Sequence, residues 1–201
     1  ELTNWNIYSP VWAPVSLEGA WLKLQDKDPF DYAKVERKIP ASKELKVSFD
    51  LLAEQNDKGR LQIDFLDGNS IACSRLELTP DGIFRMKGGS RFANMMNYEA
   101  GKTYHVEAVL STADRNIQVY VDGKRVGLRM FYAPVATIER IAFRTGEMRT
   151  FPTVDTPADQ TYDLPDAGGQ EPLAEYRIAN VKTSSTDKDA SSAFLKYADF
   201  S

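Results

Sequence analysis

The sequence predicts an all-β protein, an antiparallel two-sheet β-sandwich. Three observations carry this: apolar and polar residues alternate in short runs, turn residues separate the runs, and no long stretch has a helical period. In "ELKVSFDLL", Leu45, Val47, Phe49 and Leu51 fall on one side and Lys46, Ser48 and Asp50 on the other, the period of a strand with one wet face. "RLQIDFLD" repeats the pattern with Leu61, Ile63 and Phe65. "TYHVEAVL" does so with Tyr104, Val106, Ala108 and Leu110, and "NIQVYVDG" with Ile117, Val119 and Val121. Between the runs stand "NDKG", "DGN", "TPDG", "KGG", "EAGK", "ADRN" and "VDGK", the Gly, Asn and Asp residues that turns use. Such spacing suits a sandwich rather than βαβ units. "RFANMMNYEA" is expected to give one short helical turn or a loop, with Met95 and Met96 filling core gaps.

Two strand candidates lie far apart, "GAWLKLQD" and "AEYRIANVKT", and are expected to pair side by side. That pairing closes a single domain over residues 1–183. The polar run "SSTDKDASS" then begins a linker and tail over 184–201. Trp21 is expected in the core. Trp12, between Pro10 and Pro14, is expected either to anchor a neighbouring domain or to serve as a sugar platform.

Composition narrows the function. A net charge of -4 and a pI near 5.2, without a basic stripe carrying interleaved aromatics, argue against nucleic acid as a partner. No run approaches the roughly 18 apolar residues of a membrane span. The lone Cys73 precludes an internal disulfide, and the lone His105 cannot build a His-rich zinc site or, by itself, a Ser-His or Cys-His nucleophile system. The first residue is Glu1, which is read as the start of a processed or excised fragment.

"YEAGKTYHVEAVLSTADRNIQVYVDGKRVG", residues 98–127, resembles the hairpin of laminin G-like and other concanavalin A-like jelly rolls, with Asp122-Gly123 at the tight reversal. An Asp-Gly pair tolerates the positive φ angles that a two-residue hairpin needs. The whole is similar to accessory modules of secreted bacterial polysaccharide-degrading enzymes. The resemblance implies a concanavalin A-like jelly roll, a secreted or periplasmic location, an oligo- or polysaccharide partner and a neighbouring catalytic domain. Laminarinase-like hydrolases on this fold carry Glu-x-Asp-x-x-Glu. Here "QIDFLD" puts Gln62 where the nucleophile would be, and an amide can neither attack nor ionise. Alginate-lyase jelly rolls carry Arg-[Ser/Thr]-Glu-x-Arg. In "RTGEMR" the extra Gly146 flips the facing of Glu147 and every later strand residue, and "QID" lacks the expected histidine.

The candidate site has two parts. Residues 144–172 hold six acidic side chains, two arginines and four of the ten prolines without strand or helix period. Loops this long are uncommon and usually functional or disordered. The spacing of Asp155, Asp159 and Asp163 is not that of an EF-hand, yet sandwich loops gather oxygen ligands for hard cations. No cofactor is required, and calcium is the one candidate ion. On polar strand faces stand Arg75, Glu77, Arg85 and Lys87, with Tyr132, Arg144 and Arg149 further along the chain. On one concave face they would form a basic, partly aromatic groove for acidic sugars. The expectation is a non-catalytic carbohydrate-binding or accessory module. The alternatives are a lyase or hydrolase on the same fold, and a structural module that packs against a catalytic domain.

Overall fold

The computed structural model describes residues 2–146 and 169–185. After a 3-10 turn at Leu2–Asn4 the strands are β1 (Asn6–Tyr8), β2 (Val15–Glu18), β3 (Trp21–Asp26), β4 (Lys34–Ser42), β5 (Glu44–Ala53), β6 (Leu61–Leu66) and β7 (Ala72–Leu78). They continue with β8 (Ile83–Gly88), β9 (Arg91–Asn97), β10 (Thr103–Ser111), β11 (Asn116–Val121), β12 (Lys124–Met130), β13 (Ile138–Thr145) and β14 (Ala174–Ser185). No α-helix occurs among the described residues. The strands form two antiparallel seven-stranded sheets: a front sheet, β1-β4-β13-β6-β7-β8-β9, and a back sheet, β12-β11-β10-β5-β14-β3-β2.

The alternation read from the sequence builds the core between them. Val47, Phe49, Val106, Ile117 and Val119 of the back sheet, and Leu61, Ile63, Phe65, Ile141 and Phe143 of the front sheet, are wholly buried. Each such side chain contributes roughly 1.5–3 kcal/mol by leaving water. Phe49 meets Phe143 edge to face at 5.2 Å, tying the layers together. The two ends of the chain pair as expected, with Ala174 opposite Asp26 and Ile178 opposite Leu22, so β14 lies between β3 and β5. Asp122 and Gly123 turn the β11–β12 hairpin with φ of 49° and 83°, the left-handed backbone this short reversal demands.

Two expectations are corrected. Arg91–Asn97 is an edge strand, β9, paired along β8, and not a helical turn or loop. A bulge beside Phe84 and Arg85 makes Met95 an extra residue, so Met95 and Met96 both pack on the core and the strand period is lost from the sequence. Trp21 shares its parity with Lys23, opposite to the buried Leu22 and Leu24, so it lies on the outer side of the back sheet and is only partly buried. β14 continues to Ser185, with Ser184 and Ser185 opposite Lys46 and Leu45.

Candidate functional site: the outer face of the front sheet

Strand register brings the polar residues of the front sheet into line. Arg144 pairs with Lys34 and Gln62, Gln62 with Glu77, and Glu77 with Arg85. Directly opposed residues of an antiparallel pair share a face, so this is one row, and Tyr8 opposite Lys34 extends it to β1. A second row runs from Glu36 through Ala142 and Asp64 to Arg75. Lys87 and Phe92, paired on β8 and β9, continue the same face.

The side chains at the centre of these rows point away from the core and are buried nevertheless. Gln62 is 4%, Asp64 7% and Glu77 1% exposed, and every position of β6 is buried. Charges at that depth need partners, and they have them. Arg75 grips Asp64 through Nε at 2.6 Å and Nη2 at 3.1 Å. Glu77 is the central acceptor. Its Oε1 takes bonds from Arg60 Nη1 and from Arg85 Nη2 at 2.6 Å, and its Oε2 from Gln62 Nε2 at 3.1 Å. One carboxylate therefore fastens two guanidiniums side by side. The Gln62 carbonyl oxygen is buried with no hydrogen-bond partner, leaving an acceptor on this face.

Aromatic rings complete the surface. The Arg85 guanidinium lies 4.0 Å from the Phe92 ring centre, that of Arg144 3.9 Å from Tyr32, and Lys87 Nζ 4.5 Å from Tyr132. The Tyr132 backbone N–H donates to the Cys73 carbonyl at 3.0 Å, which sets the ring over β7 and β8. Burial pushes the Tyr132 phenol up to about 12 and the Cys73 thiol to about 12, so both stay protonated near neutrality. Burial acts to lower the Arg75 pKa, but the Asp64 hydrogen bond and charge hold it above the ordinary value. Burial lowers that of Arg144.

The structure thus places Arg75, Glu77, Arg85, Lys87 and Arg144 on one face, with Tyr132 reaching it from the segment after β12. Arg149, Asp155, Asp159 and Asp163 lie outside the described residues. Among the described residues no three His, Cys, Asp or Glu side chains gather as a metal-binding group. The sequence reading missed Arg60, Asp64, Phe92 and Tyr32. Arg60 follows Gly59, whose φ is 73° and where a Cβ would collide with Ala174 and Tyr176. Its carbonyl is held by the Gly146 N–H at 2.9 Å. A turn glycine ahead of an arginine is visible in sequence, but its contact with β14 is not.

A jelly-roll sandwich with paired arginines, amides and aromatic rings laid along one sheet has the architecture of a concanavalin A-like carbohydrate-binding module. The chain belongs to the sialidase-like carbohydrate-binding module family, whose model matches residues 5–160. A solved sialidase is 97% identical with a TM-score of 0.88; the match covers 96% of this chain and 18% of that one, so this chain spans less than a fifth of the sialidase. The binding domain of botulinum neurotoxin DC, solved in complex with SialylT, is 13% identical with a TM-score of 0.58 over 96% of this chain and 45% of that one. The carbohydrate-binding module CBM66 from Bacillus subtilis is 10% identical with a TM-score of 0.53 over 90% and 96%. These last two share the fold. No curated protein sequence matches the chain.

Proposed function

We propose that the outer face of the front sheet binds an acidic glycan, one bearing a sialic or uronic acid, and that the chain serves as a glycan-binding accessory domain beside the catalytic part of a secreted or periplasmic sialidase. The observation that carries this is the Arg60–Glu77–Arg85 unit. A carboxylate that already fixes two guanidiniums leaves their outward N–H groups oriented for a second carboxylate, with no ordering cost at binding. Arg60, Arg75, Arg85 and Lys87 outnumber Asp64 and Glu77 at this end of the face, so an anion is favoured there. Phe92 and Tyr132 supply ring surface for the apolar side of a pyranose. No cofactor is required in this reading.

Titration calorimetry with sialyllactose and with oligogalacturonate tests it. Binding of either is expected, unchanged by a chelator, and Arg85→Ala should weaken it about 10- to 100-fold, the cost of one hydrogen bond to a charged group. Wild-type affinity in Arg85→Ala would sink the reading, and loss of binding in chelator would transfer the site to an ion. A second reading is packing against a neighbouring domain, favoured by Val11, 89% exposed next to the half-buried Trp12. Under it neither glycan binds, and Val11→Ser relieves self-association of the isolated chain.

A further inference from the structure

The β1 end of the front face differs chemically from its β7–β8 end. At the β1 margin a shallow depression of about 210 Å³ is lined by Asn6, Ile7, Tyr8, Lys34 and Glu36. Asn6 stands opposite Glu36 and Tyr8 opposite Lys34, so these four share the outer face, while Ile7 closes the rim. The volume lies below the roughly 300–1,000 Å³ of drug-sized pockets and leaves room for a single ring.

Its floor is built to hold still. The Tyr8 ring packs on Tyr32 with centres 5.0 Å apart, and Tyr32 in turn carries the Arg144 guanidinium at 3.9 Å. The Tyr8 hydroxyl donates to Asp31 Oδ2 at 3.0 Å, which fixes the ring plane. Tyr8 is nonetheless 46% exposed, so one side of the ring is supported and part of the ring faces solvent. Glu36, 8% exposed, is clamped by Lys34 Nζ at 3.3 Å and by Arg140 Nη1 at 2.9 Å. Each of its oxygens retains acceptor capacity, and the Lys34 ammonium retains donors. Lys34, Arg140 and Arg144 are balanced here by Glu36, Asp31 and Asp28, so no net charge selects an anion.

A supported, partly exposed tyrosine next to preorganised acceptor and donor groups matches the two sides of a pyranose, an apolar face and a hydroxyl edge. We propose that this depression is a second saccharide-binding site, specific for a neutral pyranose, with Tyr8 as the platform and Glu36, Lys34 and Asn6 as hydroxyl partners. Five strand spacings separate β1 from β8, about 24 Å. Short sugars therefore occupy one site or the other, and only a longer mixed chain spans both. The proposal does not rest on acidic-glycan binding at Arg85.

The test is a ¹⁵N NMR titration of the full chain with lactose, cellotriose and mannotriose, and separately with sialyllactose. At least one neutral sugar is expected to shift the amides of Asn6, Tyr8, Lys34 and Glu36 saturably. Tyr8→Ala should weaken that binding roughly tenfold, while Tyr8→Phe, which keeps the ring, should preserve most of it. The dispersion of the remaining spectrum reports whether each variant is folded. Neutral sugars that leave β1 and β4 unshifted, or shifts undiminished in a folded Tyr8→Ala, overturn the proposal. Shifts at Arg60 and Arg85 with sialyllactose alone would leave the acidic-glycan reading standing without this site. Shifts at Tyr8 with neutral sugars and none at Arg85 with sialyllactose would do the reverse.

Discussion

The outer faces of the two sheets are written in the same polar alternation and end in different states. On the back sheet β5 and β11 alternate buried inward residues with partly exposed outward ones. Lys46 and Glu107 meet there at 3.5 Å with side chains 50% and 29% exposed. On the front sheet β6 is buried at every position, and the outward Asp64 and Glu77 are locked into bonds with arginines. Alternation tells which residues leave the core. It does not tell whether the outward side is a wet face or a second packed layer; on the front sheet the Asp64 and Glu77 carboxylates are buried with their partners, whereas the back-sheet pairs, Arg177 with Glu175 among them, stay partly exposed.

Stability measurements should separate the two faces most sharply. Glu77→Leu strands Arg60 and Arg85 beside a buried amide and is expected to cost about 3–5 kcal/mol in denaturant unfolding. Glu107→Leu on the back face should cost about 0–1 kcal/mol, as for other exposed pairs. Equal losses would erase the contrast. Asp64→Asn is intermediate, because the amide keeps the shape but gives up the charge held by Arg75; a loss of about 1–3 kcal/mol is expected.

The smallest effect is the pH response of the back face. The hydrogen bond that His105 Nδ1 donates to Asp50 Oδ1 at 2.9 Å raises the His105 pKa above 6.5. The folded state then binds the proton more tightly than the unfolded chain. Its stabilisation is fully present below about pH 6.5 and is lost as pH rises through the folded value. His105→Gln should flatten this shallow decline, and a decline that persists in the variant would assign it to another group.

The sequence made the sandwich legible because the strands alternate cleanly and the two distant runs, at 21–26 and 174–178, pair as their patterns suggest. It failed at β9, where a bulge removes the period, and at Trp21, where an aromatic took the wet parity. Arg75, Glu77, Arg85, Lys87 and Arg144 could be singled out because they sit at polar positions within strands. What joins them could not, since Asp64 reaches Arg75, and Arg60 reaches Glu77, only through cross-strand register and a loop crossing set by Gly59. Tyr8 and Tyr32 meet only once β1 pairs with β4, and a three-residue strand has too little pattern to announce itself.

The proposed glycan surface is the packed front face and not the wet back face, and a ¹⁵N titration with sialyllactose distinguishes the two. The amides of Arg60, Gln62, Glu77 and Arg85 are expected to shift together and saturate with one affinity, while those of Asp50, His105 and Asn180 stay in place. Shifts confined to Asp50, His105 and Asn180 would contradict it.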